Sequence, residues 1–328
     1  MKIVDVLKLS KSPTIVVKRG GALGDFILTL PVFAALRQAF PLARLQLIGD
    51  PRFLPLARPD AALDHDSPAL IPLYSGGDLA AGLAPFFAGC DFFLAYAVDP
   101  EGELARRLPQ LVGGEVLLCD PRPDGGLHIA HHLQAPLRQL GLPVPEPIPR
   151  LHLQPAERAY AMACWQERRL TPPLVLVHPG SGGRRKCWPL GQYLELVHQL
   201  SRQGLQVLLL HGPVESDLVA RIHRDPHCRT LTLCPPGLLE LAGLLETSAL
   251  FIGNDCGPGH LAAALGTPTL SLFGPTDPAI WKPLHPRAQV IQAPAGELEA
   301  VSVEEVLTCA LAMLGSLSQE NGGITLQP

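Results

Sequence analysis

The chain has 328 residues, a net charge of −4 and 47% hydrophobic residues. That length is more than one compact core usually holds, so two domains are expected, each with enough apolar residues to bury its own interior. The balanced charge and an aromatic content of only 5% exclude a dedicated nucleic-acid binder, which carries a basic excess and stacking rings.

Eight cysteines (Cys90, Cys119, Cys164, Cys187, Cys228, Cys234, Cys256 and Cys309) are scattered, and none forms a Cys-x-x-Cys pair. In a chain this long the pattern reads as reduced thiols. No apolar run reaches the ~20 residues that span a bilayer. The opening MKIVDVLKLSKSPTIVVKRGG lacks the unbroken apolar core of a signal peptide. A cytoplasmic protein is expected. Peripheral contact with the inner membrane face stays open, although no strong basic amphipathic helix argues for it.

Thr14 to Lys18 (TIVVK) predicts a first buried strand. A glycine loop follows, then a helix over Asp25 to Phe40, with Pro31 placed near the first turns, where proline does least damage. Arg44 to Ile48 predicts a second strand. From Pro51 to Gly126 many Pro and Gly residues break the pattern, and only Asp91 to Ala97 and Glu115 to Cys119 read as strands. Leu127 to Leu140 predicts a helix closed by Gly141. Five prolines in LPVPEPIPRLHLQP, Leu142 to Pro155, forbid helix and predict a stiff linker. The expected domains are therefore 1–150 and 151–317, with a polar tail at 318–328. The last helix has the option of packing back on the first domain.

The second half alternates. Strands are predicted at Leu174 to Val177, Gln206 to Leu210, Thr230 to Leu233, Leu250 to Gly253, Thr269 to Phe273 and Gln289 to Gln292. Helices are predicted at Ala156 to Arg169, Pro189 to Gln203, Glu215 to Arg224, Leu238 to Glu246, His260 to Leu265 and Val303 to Leu317. Alternation at this spacing demands a parallel sheet. The expected fold class is α/β, with two Rossmann-like doubly wound domains, and such pairs commonly bind ligand in the cleft.

Three loops could carry chemistry. The first, KRGGALGD (Lys18 to Asp25), has Gly20, Gly21 and Gly24, which let a ligand approach the backbone. Asp25 sits at a helix start beyond a strand end. It either caps the helix or accepts a proton from a bound hydroxyl. The second, HPGSGGRRKCWP (His178 to Pro189), combines Ser181 and glycines with Arg184, Arg185 and Lys186, and suits a diphosphate. With six lysines against twenty arginines, a lysine at 186 suggests that a compact charge is wanted there. The third is the turn Asn254, Asp255, Cys256, Gly257, Pro258, Gly259, His260, a strand-to-helix junction whose backbone N–H groups can meet an anion. Its continuation FGPTDPAIWKP closes with Trp281 and Lys282. His128 and His132 stand at i, i+4 and could ligate a metal, but no ligand set is completed. The chain is expected to show no Asp-x-Asp carboxylate pair for a divalent ion.

Together, LGDFILTLP near the start, HPGSGGRRKCWP and GNDCGPGHLAAALGTPTLSLFGPT resemble glycosyltransferase family nine, which includes the ADP-heptose:lipopolysaccharide heptosyltransferases. The resemblance spans about Thr14 to Pro283 and implies a GT-B architecture. The first domain would hold a glycan or lipid-linked glycan acceptor, and the second a nucleotide sugar, with an ADP-sugar as the expected donor. It also implies inverting transfer without a metal or other cofactor. Asp25 matches the general base, with Gly20, Gly21 and Gly24 on the acceptor side. Lys186 matches the lysine facing the donor phosphates, which Ser181 flanks. Asp255, Gly257 and His260 match the nucleotide motif, and the donor site is expected to take in Cys256, Pro258 and Gly259 as well, with amides from Cys256 to His260 neutralising the diphosphate. Cys256 departs from the usual Ser or Thr, and a thiol is a poorer donor.

Two rival classes stand beside this one. An NAD-dependent oxidoreductase would use the first glycine loop with Asp50 about 25 residues on. A non-catalytic nucleotide-sugar binder would have lost activity, with Cys256 as the sign.

Overall fold

The computed structural model describes residues 12–75, 80–123, 125–171, 173–212 and 231–320. The helix expected at Glu215 to Arg224, Cys228 and the end of the tail lie outside them. The chain divides into two compact units, 1–149 and 150–328.

The first unit is built on β1 (Thr14–Arg19), β2 (Arg44–Gly49), β3 (Ala61–Asp64), β4 (Cys90–Tyr96) and β5 (Glu115–Cys119), ordered β3-β2-β1-β4-β5. All pairs are parallel. Helices cover both faces, which is why Ile15, Val16 and Val17 form an unbroken apolar run with no exposure. On one face Val16, Ile48 and Phe93 pack with Leu73, Leu83, Phe87, Leu104 and Leu108. Elsewhere α1 (Leu23–Ala39) packs against α5 (Ile129–Gln139).

Two expectations need correction here. Helix α1 begins at Leu23, so Pro31 lies in its interior, with no N–H to give the ladder. The buried neighbours Phe26 to Phe33 hold the helix together around it. The stretch read as broken also contains α2 (Ile71–Ser75), α3 (Ala80–Phe87), α4 (Glu103–Leu111) and strand β3. Pro85 and Pro109 sit inside helices. Tertiary burial of Leu83, Phe87, Leu104 and Leu108 overrides the local penalty. Gly141 takes φ +75 after α5, and Leu142 N–H bonds to Leu137 O at 3.0 Å, a Schellman closure.

The second unit runs α6 (Pro155–Arg168), β6 (Leu174–His178), α7 (Leu190–Arg202), β7 (Gln206–Leu210), β8 (Leu231–Leu233), α8 (Leu238–Glu246), β9 (Leu250–Asn254), α9 (Gly257–Ala264), β10 (Thr269–Phe273), α10 (Pro278–Trp281), β11 (Ala288–Gln292) and α11 (Val303–Glu320). Its sheet is parallel, in the order β11-β10-β9-β6-β7-β8. Val306, Ala310, Met313 and Leu314 of α11 join the core of this unit, with Val175, Leu196 and Ile252. The buried face of the last helix therefore belongs to the second unit's core.

Strand order reverses between β1 and β4 in the first unit and between β6 and β9 in the second. In open parallel sheets, ligands bind beyond the carboxyl ends of the strands at such a reversal. Among the described residues no helix is long and apolar enough to cross a membrane, and the seven described cysteines form no disulfide.

Candidate functional site

In the second unit, the loop after β6 and the turn after β9 lie side by side at the reversal. Asn254, with no exposure, laces them together. Its Nδ2 donates to Pro179 O at 2.8 Å and Gly180 O at 3.3 Å, and its Oδ1 accepts from Trp188 N at 2.9 Å. Trp188 is buried edge-on against Tyr193, with Nε1 bonded to Val301 O at 3.0 Å. Ser181 Oγ donates to Asp255 O at 2.7 Å. The frame leaves Arg184 and Arg185 exposed and turns Lys186 inward. Lys186 Nζ meets Asp255 Oδ2 at 2.8 Å, and Thr276 Oγ1 donates to the same oxygen at 2.7 Å. The three charges of the basic loop thus separate into one anchored and two solvated.

Helix α9 starts at Gly257, three residues before the expected His260, with Pro258 in its first turn. This changes the anion site. The Gly259 and His260 amides already donate to Cys256 O, at 3.1 and 3.4 Å, and Asp255 N–H donates to Leu272 O at 2.9 Å. Pro258 has no N–H. The expected row of amides from Cys256 to His260 therefore shrinks toward the helix tip at Gly257, still the positive end of the macrodipole. Cys256 is the N-cap, and its thiol makes no cap bond. The close packing under the turn demands glycine at 253, where a Cβ would stand 2.9 Å from the Phe251 ring and 3.1 Å from His178 O.

In the first unit, the loop after β1 leads into α1. Gly21 takes φ +97, and a Cβ there would meet Asp25 Oδ2 at 2.8 Å. Asp25 is at the third helical position. Its Oδ2 accepts Ala22 N–H at 2.9 Å, and its Oδ1 accepts from Arg19 Nη2 at 3.2 Å. Arg19 Nε donates to Thr29 Oγ1 at 3.0 Å, and Thr29 Oγ1 donates to Asp25 O at 2.8 Å. Asp25 does cap its helix, and its side chain stays 29% exposed. Burial pulls the Arg19 pKa down, with the Asp25 charge the largest opposing influence. Gly20 lies beside His65, and Gly24 is inside α1.

The residues missed in the sequence are Arg19, Thr29 and Thr276, and for Asn254, whose turn was picked out, the bonds that lace the two loops. Each matters through a side-chain partner that only folding or the helical turn brings near. The histidine pair resolves as structural: His128 Nδ1 caps α5 through Ala130 N at 3.2 Å, and His132 Nε2 meets Asp120 O at 2.8 Å. His178 is buried against Leu210 O at 3.1 Å. Asp50 is held by Arg52 through both carboxylate oxygens, which lowers its pKa. The expectation of no Asp-x-Asp pair needs correction: one occurs at Asp64-His65-Asp66, with ligand atoms within 4.8 Å of one another. Both aspartates are exposed and stand outside the three loops.

The profile of glycosyltransferase family 9 (heptosyltransferase) matches residues 122–310, more than half of the chain. The Escherichia coli lipopolysaccharide heptosyltransferase 3 is 26% identical over 298 residues, 79% of this chain and 82% of that protein. Among solved structures, a family 9 glycosyl transferase from Veillonella parvula aligns with a TM-score of 0.76 at 20% identity, over 93% of this chain and 97% of its own. The Escherichia coli ADP-heptose lps heptosyltransferase II aligns with a TM-score of 0.74 at 20% identity, over 94% and 99%. The two parallel-sheet α/β units are those of a GT-B fold, and the chain belongs to glycosyltransferase family 9, as a glycosyltransferase enzyme.

Proposed function

We propose that the chain transfers a heptose-type sugar from a nucleoside diphosphate donor, with ADP as the nucleotide, to a hydroxyl of a lipopolysaccharide-type acceptor. The observation that carries this reading is the Lys186–Asp255–Thr276 cluster at the sheet reversal, beside the tip of α9. A cation and a helix N-terminus suit a diphosphate. The named relatives, a lipopolysaccharide heptosyltransferase and an ADP-heptose enzyme, support the donor and acceptor classes.

In this reading the second unit binds the nucleotide sugar, with Ser181, Lys186 and the turn Asp255 to His260 around it. The first unit takes the acceptor along Gly20, Gly21 and Gly24. The acceptor oxygen attacks the anomeric carbon as its proton passes to the Asp25 carboxylate. The bond from that carbon to the diphosphate oxygen breaks, and the diphosphate leaves with the electron pair. Attack opposite the leaving group inverts the anomeric centre. Lys186 and the α9 tip neutralise the leaving charge, so no metal is called on. The enzyme works in the cytoplasm, reaching a membrane-borne acceptor from the inner face.

The test is thermal denaturation of the whole chain with ADP, ADP-heptose, UDP and NADH, followed by product analysis. ADP ligands should raise the melting temperature by mass action, and the product should show an inverted anomeric centre with turnover unchanged by EDTA. Stabilisation by NADH alone would favour the oxidoreductase reading, which the engagement of Asp50 by Arg52 disfavours. Binding of ADP-heptose without turnover would favour a non-catalytic binder.

A further inference from the structure

We propose that Arg19 is a positioning residue for the reaction: its guanidinium fixes the Asp25 carboxylate in the orientation from which it takes the acceptor proton. The inference rests on the reading of Asp25 as the base.

Arg19 ends β1, and its side chain is 5% exposed. Burying a guanidinium is costly unless it is paired and hydrogen-bonded. An apolar side chain would fill that strand end at less cost, so the bonds it makes are the clue. Nη2 holds Asp25 Oδ1 at 3.2 Å, and Nε holds Thr29 Oγ1 at 3.0 Å. Thr29 Oγ1 in turn donates to Asp25 O at 2.8 Å, which closes a ring through one turn of α1. The guanidinium is therefore locked by the same helix turn whose carboxylate it orients. The other oxygen, Oδ2, is fixed by Ala22 N–H at 2.9 Å. An ionised carboxylate has about four lone-pair sites. One donor on each oxygen leaves acceptor capacity for a substrate hydroxyl, while both torsions of the side chain are restrained. A lysine at 19 keeps the charge but lacks the fork that grips two acceptors at once.

The experiment measures ADP release by the full chain from ADP-heptose and a heptose-deficient lipopolysaccharide core. Absence of turnover in the unaltered chain overturns the functional reading and this one with it. With turnover present, Arg19→Met should lower kcat by about ten- to a hundredfold, the scale set by small misplacement of a reacting group. Its donor KM should stay within about twofold, since Arg19 touches no donor group in this scheme. Arg19→Lys should recover part of the loss. Arg19→Ala should regain activity with guanidinium ion at sub-denaturing concentration, and not with sodium chloride of equal ionic strength. On an Asp25→Asn background, Arg19→Met should add no further loss. Should Arg19→Met fail to fold, Thr29→Val unties the guanidinium while leaving its charge, and a smaller fall in kcat at unchanged KM is expected. Unchanged kcat in the folded variants, additive losses on the Asp25→Asn background, or no rescue by guanidinium would overturn the proposal and leave Arg19 a structural residue.

Discussion

Each unit places an ion pair at its sheet reversal, and the two pairs are opposite in exposure. In the first, the cation is buried and the carboxylate reaches solvent: Arg19 is 5% exposed and Asp25 29%. In the second, the carboxylate is buried and the cation reaches solvent: Asp255 is 8% exposed and Lys186 38%. The same construction thus presents a partly exposed carboxylate on one unit and a partly exposed ammonium on the other. In the proposed scheme the buried member orients and the exposed member meets the ligand. A transfer that deprotonates a hydroxyl and releases a diphosphate needs both kinds of group.

Breaking the exposed member of each pair tests this contrast most sharply. Asp25→Asn should cut kcat by ~10²–10⁴, with ADP affinity by calorimetry little changed. Normal turnover in that variant would reduce Asp25 to a helix cap. Lys186→Ala should cut kcat by ~10²–10³ and, unlike Asp25→Asn, should also weaken ADP binding. It strands the Asp255 carboxylate with Thr276 alone, and a urea titration should show a loss of ~1–3 kcal/mol. Unchanged ADP affinity would remove Lys186 from the donor site. Gly253→Ala tests the frame rather than the charges. Its Cβ collides with the Phe251 ring and approaches His178 O, so a loss of ~1–3 kcal/mol in the same titration is expected. A neutral result would mean that the turn after β9 relaxes easily. The smallest effect is expected from Cys256→Ser, which supplies the missing N-cap acceptor and should stabilise by ~0.5–1 kcal/mol. Destabilisation would mean that the buried thiol contributes packing that a hydroxyl cannot.

Much of the fold was legible because its signals are local. The apolar run LVLV before His178 reads as a strand, and β6 is that strand, buried along its whole length. Gly141 announced the close of α5, and strand β5 at Glu115–Cys119 and helix α8 at Leu238–Glu246 have the expected limits. Between Pro51 and Gly126, β4 and β5 were legible, and β3 and the helices were not. The helices there carry Pro85 and Pro109, so propensity and packing disagree, and packing against the first sheet decides. At the second site the loops were visible, yet their internal logic was not. Thr276 is 21 residues from Asp255, and Lys186 is 69 away. No periodicity encodes such a pairing.

By itself, then, the order of residues determined which segments become strands and helices, where glycine loops interrupt them, and which family motifs they carry, since these depend on near neighbours in the chain. Only tertiary structure decided strand order, and with it the two reversals where loops distant in sequence meet. It also decided which charge of each pair is buried, because desolvation and partnership are properties of the assembled surroundings. That is why Asp25 and Lys186 could be named from the sequence, while Arg19 and Thr276, and the lacing role of Asn254, could not.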